Sequence, residues 1–293
     1  MKKNQFINGF FGSRKKPDWL KVKFQSTPEM KDVKNLISDL SLNTICLEAN
    51  CPNRMECYNR KTATFMILGR NCTRNCTFCN VTKKEPDPVD GDEPRRIGEA
   101  VKKLGLRHAV ITSVTRDDLP DQGALQFSEV VRAIREASPE TRIELLIPDM
   151  QGCEELIDII LEENPDFFNH NIETIERLYD KVRPMASYQR SLDVIEYAKK
   201  TKPDLKTKSG LMLGLGETKT EVIEAMQDLI NHGCDILTLG QYLQPSKEHL
   251  EVEAYVTPEQ FAEYKEIALE LGFKSVASAP LVRSSYHADE LDF

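Results

Sequence analysis

Between residues 62 and 242, six short apolar runs alternate with amphipathic stretches, and nothing else in the 293-residue chain restricts its fold so strongly. The runs fall at 62–68, 108–114, 142–147, 166–172, 209–215 and 236–242, each the length of a strand buried on both faces. Between them apolar side chains recur at helical offsets, as in Phe127, Val130, Val131 and Ile134, or Val222, Ala225, Met226 and Leu229. Such stretches predict helices with one face against a sheet, so the chain reads as repeated βα units of the α/β class. Gly105, Gly233 and Gly272 mark helix ends, and a last helix is predicted over 258–271. Six right-handed units in a row make either an open doubly wound sheet or a curved partial barrel. Polar residues gathered behind several strands favour the barrel: Asn169, Asn171 and Glu173 follow the fourth, and Gln241 to Gln244 end the sixth.

The segment from 46 to 79, on both sides of the first strand, carries different chemistry. Six of the eight cysteines, Cys46, Cys51, Cys57, Cys72, Cys76 and Cys79, fall within 34 residues, while Cys153 and Cys234 stand alone. No secretory signal is apparent, so a reducing, cytoplasmic setting is expected, where clustered thiols bind metal rather than form disulfides. A structural zinc site wants four ligands, commonly as paired motifs. Here the spacings, Cys46-x4-Cys51-x5-Cys57 and Cys72-x3-Cys76-x2-Cys79, are uneven, each group has three cysteines, and no histidine lies nearby. Soft thiolates in unequal loops suit an iron-sulfur cubane, and three of them leave one of its four irons open. The net charge of -8 argues against a nucleic-acid partner, and no apolar run approaches the roughly 18 residues that span a bilayer. Residues 1–27 depart from the acidic balance, with Lys2, Lys3, Arg14, Lys15, Lys16, Lys21 and Lys23 against Asp18. That strip is either a solvated tail or a docking surface for an acidic protein.

CxxxCxxC directly after a strand, with Phe78 before its last cysteine, resembles the pattern that defines the radical S-adenosylmethionine superfamily. The resemblance implies a partial (β/α)6 barrel and a 4Fe-4S cluster on Cys72, Cys76 and Cys79. The open iron would chelate the amino and carboxylate groups of S-adenosylmethionine, and one electron would cleave the sulfonium to methionine and a 5'-deoxyadenosyl radical. Gly210 to Glu217 is similar to the superfamily's GxIxGxxE element beside the adenine, with Met212 where isoleucine is usual. The segment NHNIE, residues 169–173, resembles the ribose-binding segment and nominates Asn171 and Glu173. A GGE-like element often follows the second strand, but here the chain reads Thr112-Ser113-Val114. Ser113 and Thr115 are then the candidates for the methionine amino group. Arg190 and Arg183 either meet a cosubstrate carboxylate or polar groups of the substrate, or form surface ion pairs.

The upstream cysteine triplet, with VTRDDLPDQGA (114–124), VRPMASYQRS (182–191), TLGQYLQPS (238–246) and RSSYHA (283–288), resembles lipoyl synthases over nearly the whole chain. This implies a second, auxiliary 4Fe-4S cluster on Cys46, Cys51 and Cys57, with Ser285 as its fourth ligand and Arg283 helping to displace or orient that serine. The implied layout is a cysteine-rich extension (1–60), the radical barrel (61–250) and a C-terminal segment (251–293) closing on the auxiliary cluster. The implied reaction inserts two sulfur atoms from that cluster at C6 and C8 of an octanoyl-lysine. Its carrier would be a lipoyl carrier domain or the glycine-cleavage H protein, served by a reducing electron donor and an iron-sulfur carrier that rebuilds the cluster. The rivals are a biotin-synthase-like sulfur-inserting enzyme, which lacks the upstream triplet, and an iron-sulfur electron carrier, which has no need of the barrel.

Overall fold

A computed structural model describes residues 16–22 and 27–290 of the protein. All six predicted strands form: β1 (Thr64–Ile67), β2 (His108–Ser113), β3 (Arg142–Leu146), β4 (Phe167–Asn169), β5 (Lys206–Leu213) and β6 (Ile236–Gln241). A seventh, β7 (Ser275–Ser278), follows them. The strands pair in parallel in the unbroken order β1 to β7. That order decides between the two architectures. A doubly wound sheet reverses at a switch point and takes helices on both faces. Here each crossover steps the same way, and the right-handed rule puts the connecting helices on one side. The other side is the concave interior of a partial barrel.

Three helices precede the barrel, α1 (Pro28–Asp39), α2 (Ile45–Glu48) and α3 (Arg54–Asn59). The outer layer holds α4 (Glu93–Leu104), α5 (Ala124–Ala137), α6 (Glu154–Leu161), α7 (Tyr179–Val182), α8 (Tyr188–Thr201), α9 (Lys219–Asn231) and α10 (Pro258–Leu271). The periodic residues do what their spacing predicts: Phe127, Val130, Val131 and Ile134 on α5 are fully or almost fully buried, as are Val222, Ala225, Met226 and Leu229 on α9. Reciprocal capping boxes, Thr218 with Glu221 and Thr257 with Gln260, start α9 and α10. Gly105 and Gly272 end α4 and α10 in the left-handed conformation.

The barrel floor is polar. Glu144 on β3 accepts hydrogen bonds from Lys208 Nζ (2.9 and 3.1 Å) and Asn169 Nδ2 (2.8 Å), and lies 3.1 Å from His108 Nε2. All four side chains are buried. Burial opposes ionisation of Glu144, but the Lys208 charge and the His108 contact hold its carboxyl well below the usual carboxylate range.

The described strands show no pairing between β7 and β1; the edge of β1 instead meets residues 43–44, with Met66 N–H donating to Asn43 O at 2.9 Å. A C-terminal strap runs from β7 to the N-terminal helices. Gln241 N–H donates to Pro280 O (3.1 Å), Asn53 Nδ2 donates to Leu281 O (2.6 Å), and Tyr286 and His287 both meet Glu56 at 2.9 Å. The strap passes so close to β6 that a Cβ on Gly240 would sit 2.1 Å from Val282 O. Gly240→Ala is therefore expected to displace the strap and cost about 1–3 kcal/mol of stability. Chemical denaturation of the metal-free chain checks this.

Candidate active site

The chain leaves β1 through Leu68 and Gly69, both at positive φ, and enters the CxxxCxxC loop at the mouth of the barrel. The loop is tied to three neighbours. Cys72 N–H donates to Thr82 O (2.8 Å), Thr73 Oγ1 to Thr115 O (3.0 Å) and Thr77 Oγ1 to Lys181 O (2.8 Å). Arg74, between the first two cysteines, reaches Asp117 through Nε and Nη2 (2.7 and 2.8 Å) and Asp149 through Nη2 (2.7 Å). Asp149 also accepts from Arg190 Nε at 2.8 Å. Burial works against its charge, yet Arg74 and Arg190 keep the carboxyl far below its ordinary range. Cys72 Sγ accepts backbone N–H groups from Thr115 (3.4 Å) and Arg74 (3.5 Å). Burial pushes the Cys76 thiol up, and it pushes Cys79 up to about 12, so iron must displace protons to bind there.

The three cysteines and Phe78 face a cavity of about 850 Å³ inside the barrel. Ser113, Thr115, Asn171, Glu173 and Met212 line the same cavity, so most of the cosubstrate residues expected from sequence are brought together. Glu173 is half-buried at the cavity wall; burial raises its carboxyl, against the opposing charge of Arg183 and a hydrogen bond from Asn171 Nδ2 (3.1 Å). Its backbone rides on β5, donating to Gly210 O (2.9 Å) and accepting from Met212 N–H (2.8 Å).

Arg190 does not join them. It is absent from the cavity wall, because its guanidinium is turned back onto Asp149 and Met185 O. Arg183 is the arginine that lines the cavity, its Nη1 donating to Asn171 O (2.9 Å) and Tyr179 Oη (2.8 Å). Glu217, the acid of the glycine element, accepts the backbone N–H groups of Gly214 and Leu215 and so closes the turn after β5. His170 was not singled out from sequence, though it stands inside the NHNIE segment. Burial, with the Arg183 charge nearby, pushes His170 down to about 4, so the ring is neutral at neutral pH. Its Nδ1 pairs with Ile147 O (2.9 Å) and its Nε2 has no partner.

A second group of side chains lies beside the first. Cys46 on α2, Cys51 after it and Cys57 on α3 line one smaller cavity together with Arg283, Ser285 and His108. Cys46, Cys51, Arg283 and Ser285 also line the large cavity, so the two triplets open into a common space. Burial pushes the Cys46 thiol up and Cys57 up to about 12. Ser285 Oγ accepts a hydrogen bond from Thr64 Oγ1 at 2.8 Å, an interaction no sequence signal marked. Burial pulls the Arg283 guanidinium down, against the opposing charges of Cys51 and Glu173. The two lone cysteines lie elsewhere: Cys153 donates to Glu155 (3.2 Å) and Cys234 to Ile236 O (3.3 Å). Neither lines either cavity.

All eight thiols are free. Among the described residues, no three cysteine, histidine or carboxylate side chains converge as a single ion requires; a cubane instead takes each thiolate at a different corner. The large cavity also presents buried polar atoms with no protein partner: Ser113 Oγ, His170 Nε2 and Asn171 Oδ1. Such atoms call for a partner, water or a bound molecule, and they suit the hydroxyl and amino groups of a nucleoside-containing cosubstrate.

A parallel partial barrel with three thiols at its mouth and unpaired polar groups below them defines a radical S-adenosylmethionine protein. The family model of the Radical SAM superfamily matches residues 66–229, and membership brings a 4Fe-4S cluster and S-adenosylmethionine. The chain belongs to the lipoyl synthase family within it. It is 54% identical over 275 residues to a lipoyl synthase of Caldanaerobacter subterraneus subsp. tengcongensis, covering 94% of this chain and 96% of that one. A lipoyl synthase of Caldicellulosiruptor saccharolyticus is also 54% identical, over 94% of this chain and 97% of that one. Among solved structures, SuiB of Streptococcus suis bound to S-adenosylmethionine superposes with a TM-score of 0.59 at 12% identity. That match covers 82% of this chain and 56% of SuiB, and it speaks for the fold alone.

Proposed function

We propose that the protein inserts two sulfur atoms, at C6 and C8, into an octanoyl chain carried on a lysine of a lipoyl carrier domain or of the glycine-cleavage H protein. The observation that carries this reading is the shared space: one cavity is walled by Cys72, Cys76 and Cys79 and also by Cys46, Cys51 and Ser285. With both clusters and S-adenosylmethionine bound, one cluster would supply the electron that splits S-adenosylmethionine into methionine and a 5'-deoxyadenosyl radical, and the other would supply sulfur as a substrate. Unactivated methylene C–H bonds give an acid or base nothing to work on, so the chain's task is placement.

Cys72, Cys76 and Cys79 hold one cluster and leave an iron open. Asn171, Glu173 and His170 orient the cosubstrate, and Ser113 and Thr115 are placed for its amino group. Arg183 meets its carboxylate, with Arg190 acting through Asp149 as support. Cys46, Cys51, Cys57 and Ser285 hold the auxiliary cluster. Serine oxygen matches iron-sulfur chemistry less well than thiolate, so this is the iron most easily released. Arg283, half-buried and lining both cavities, would take the serine as it leaves. Val22, Met30, Ile45 and Met55 give the large cavity an apolar wall that suits an acyl chain.

The basic strip of residues 1–27 is read as a docking surface for the carrier; Lys16 lines the large cavity, while Lys2, Lys3, Arg14, Lys15 and Lys23 lie outside the described residues. The reaction further calls for a reducing electron donor, an iron-sulfur carrier to rebuild the consumed cluster, and a reducing, cytoplasmic compartment. No helix among the described residues is long and apolar enough to cross a membrane.

The test is anaerobic reconstitution of a Cys46→Ala/Cys51→Ala/Cys57→Ala variant. It is expected to lose about half the iron and sulfide of the unaltered chain, consistent with one thiolate-held cluster per triplet. It should still cleave S-adenosylmethionine while failing to insert sulfur into an octanoyl peptide. Full sulfur insertion by this variant would end the reading.

A further inference from the structure

The smaller cavity has a wall residue that the reaction above leaves unused. His108 opens β2, its side chain is 1% exposed, and it lines the cavity shared by Cys46, Cys51, Cys57 and Ser285. Its Nε2 stands 3.1 Å from Glu144 Oε2, while its Nδ1 is buried without a partner. An unpartnered buried nitrogen carries a free-energy cost unless something meets it.

The surroundings fix both the tautomer and the pose of the ring. Lys208 meets both Glu144 oxygens at 2.9 and 3.1 Å, and an ionised carboxylate only accepts hydrogen bonds. The contact with Glu144 then makes Nε2 the donor, and in the neutral ring the lone pair is on Nδ1. Asn169 holds the other Glu144 oxygen at 2.8 Å, and the ring packs against Phe167 with centroids 5.0 Å apart. An imidazole whose far N–H is anchored on a hydrogen-bonded carboxylate is the arrangement in which histidine binds metal, and imidazole is a good ligand for iron.

We propose that His108 is a reserve iron ligand of the auxiliary cluster, taking up through Nδ1 the iron that Ser285 releases. The proposal rests on the reading that Cys46, Cys51, Cys57 and Ser285 hold that cluster. In the exchange the Fe–O bond to Ser285 breaks, and the alkoxide takes a proton from water to become a hydroxyl. The Nδ1 lone pair forms the Fe–N bond, and no electron moves. Such a ligand keeps iron in the chain while sulfide is withdrawn, and so leaves a template on which the cluster is rebuilt.

The experiment uses a Cys72→Ala/Cys76→Ala/Cys79→Ala chain, so that only the auxiliary cluster gives a signal, with histidine labelled uniformly with ¹⁵N. After reconstitution and reduction, pulsed electron paramagnetic resonance is recorded with Ser285 present and with Ser285→Ala. The expected result is a strongly coupled histidine nitrogen in Ser285→Ala that is lost when His108→Gln is added. A Ser285→Ala cluster with no coupled histidine nitrogen would overturn the proposal, as would a coupling that survives His108→Gln. The labelled Ser285→Ala chain keeps His108, so the test does not depend on the histidine variant folding. If the triple cysteine variant binds no iron and sulfide at all, the reading of the auxiliary site fails and takes the proposal with it.

Discussion

Cys72→Ala will abolish cleavage of S-adenosylmethionine, and with it all sulfur insertion. Loss of an outer hydrogen-bond partner of a metal ligand already costs roughly 10–100-fold in affinity or activity, and Cys72 is proposed as a ligand itself. Neither lone cysteine is placed to substitute for it, since Cys153 and Cys234 line neither cavity. The variant should retain the auxiliary cluster, since Cys46, Cys51 and Cys57 sit on a separate part of the chain around α2 and α3. Iron analysis together with chromatographic detection of 5'-deoxyadenosine checks both halves of the expectation. The contrast with the upstream triple variant is the informative part, because the two substitutions should remove different steps of one reaction.

Glu144→Leu is expected to destabilise the metal-free chain by about 3–5 kcal/mol, a large share of the roughly 5–15 kcal/mol that holds a typical domain folded. Lys208 is 1% exposed and makes its ion pair with Glu144. Removing the carboxylate strands an ammonium inside the barrel. Glu144→Leu/Lys208→Met removes both charges and should recover most of the loss, since a buried pair replaced by apolar side chains of similar volume is often neutral. Denaturant titration of the two variants and the unaltered chain gives the comparison; equal destabilisation in both would show that packing, not the stranded charge, sets the effect.

Much of the barrel was legible in the sequence because parallel strands covered on both faces are nearly continuous apolar runs. The departures have physical reasons. β5 begins at Lys206 rather than at 209, because Thr207 and Lys208 look like a loop until Asp235 and Glu144 are seen to receive them. β4 ends at Asn169 rather than at 172. Beyond it the chain turns to bring Asn171 and Glu173 over the cavity, and Glu173 takes a positive φ. β7 went unseen because Ser275–Ser278 offers Val276 as its one large apolar side chain.

At the site, short spacings were readable and long ones were not. CxxxCxxC and the NHNIE segment announce themselves within a few residues. The pairing of Thr64 with Ser285 spans 221 positions, and the meeting of Arg74 with Asp149 is likewise made only by the curvature of the sheet. Arg183 and Arg190 are equivalent as sequence. What separates them is Asp149, fully buried, which captures the second and leaves the first facing the cavity.

The central claim is that the auxiliary cluster is consumed as the source of sulfur, and isotope transfer tests it most directly. The chain is reconstituted with ³⁴S-sulfide, freed of unbound sulfide, and given S-adenosylmethionine, reductant and an octanoyl-lysine peptide for a single turnover. The product is expected to carry heavy sulfur at both new positions, with loss of the auxiliary cluster from the enzyme. Product containing only ordinary sulfur, or heavy product formed by the Cys46→Ala/Cys51→Ala/Cys57→Ala variant, would contradict the account.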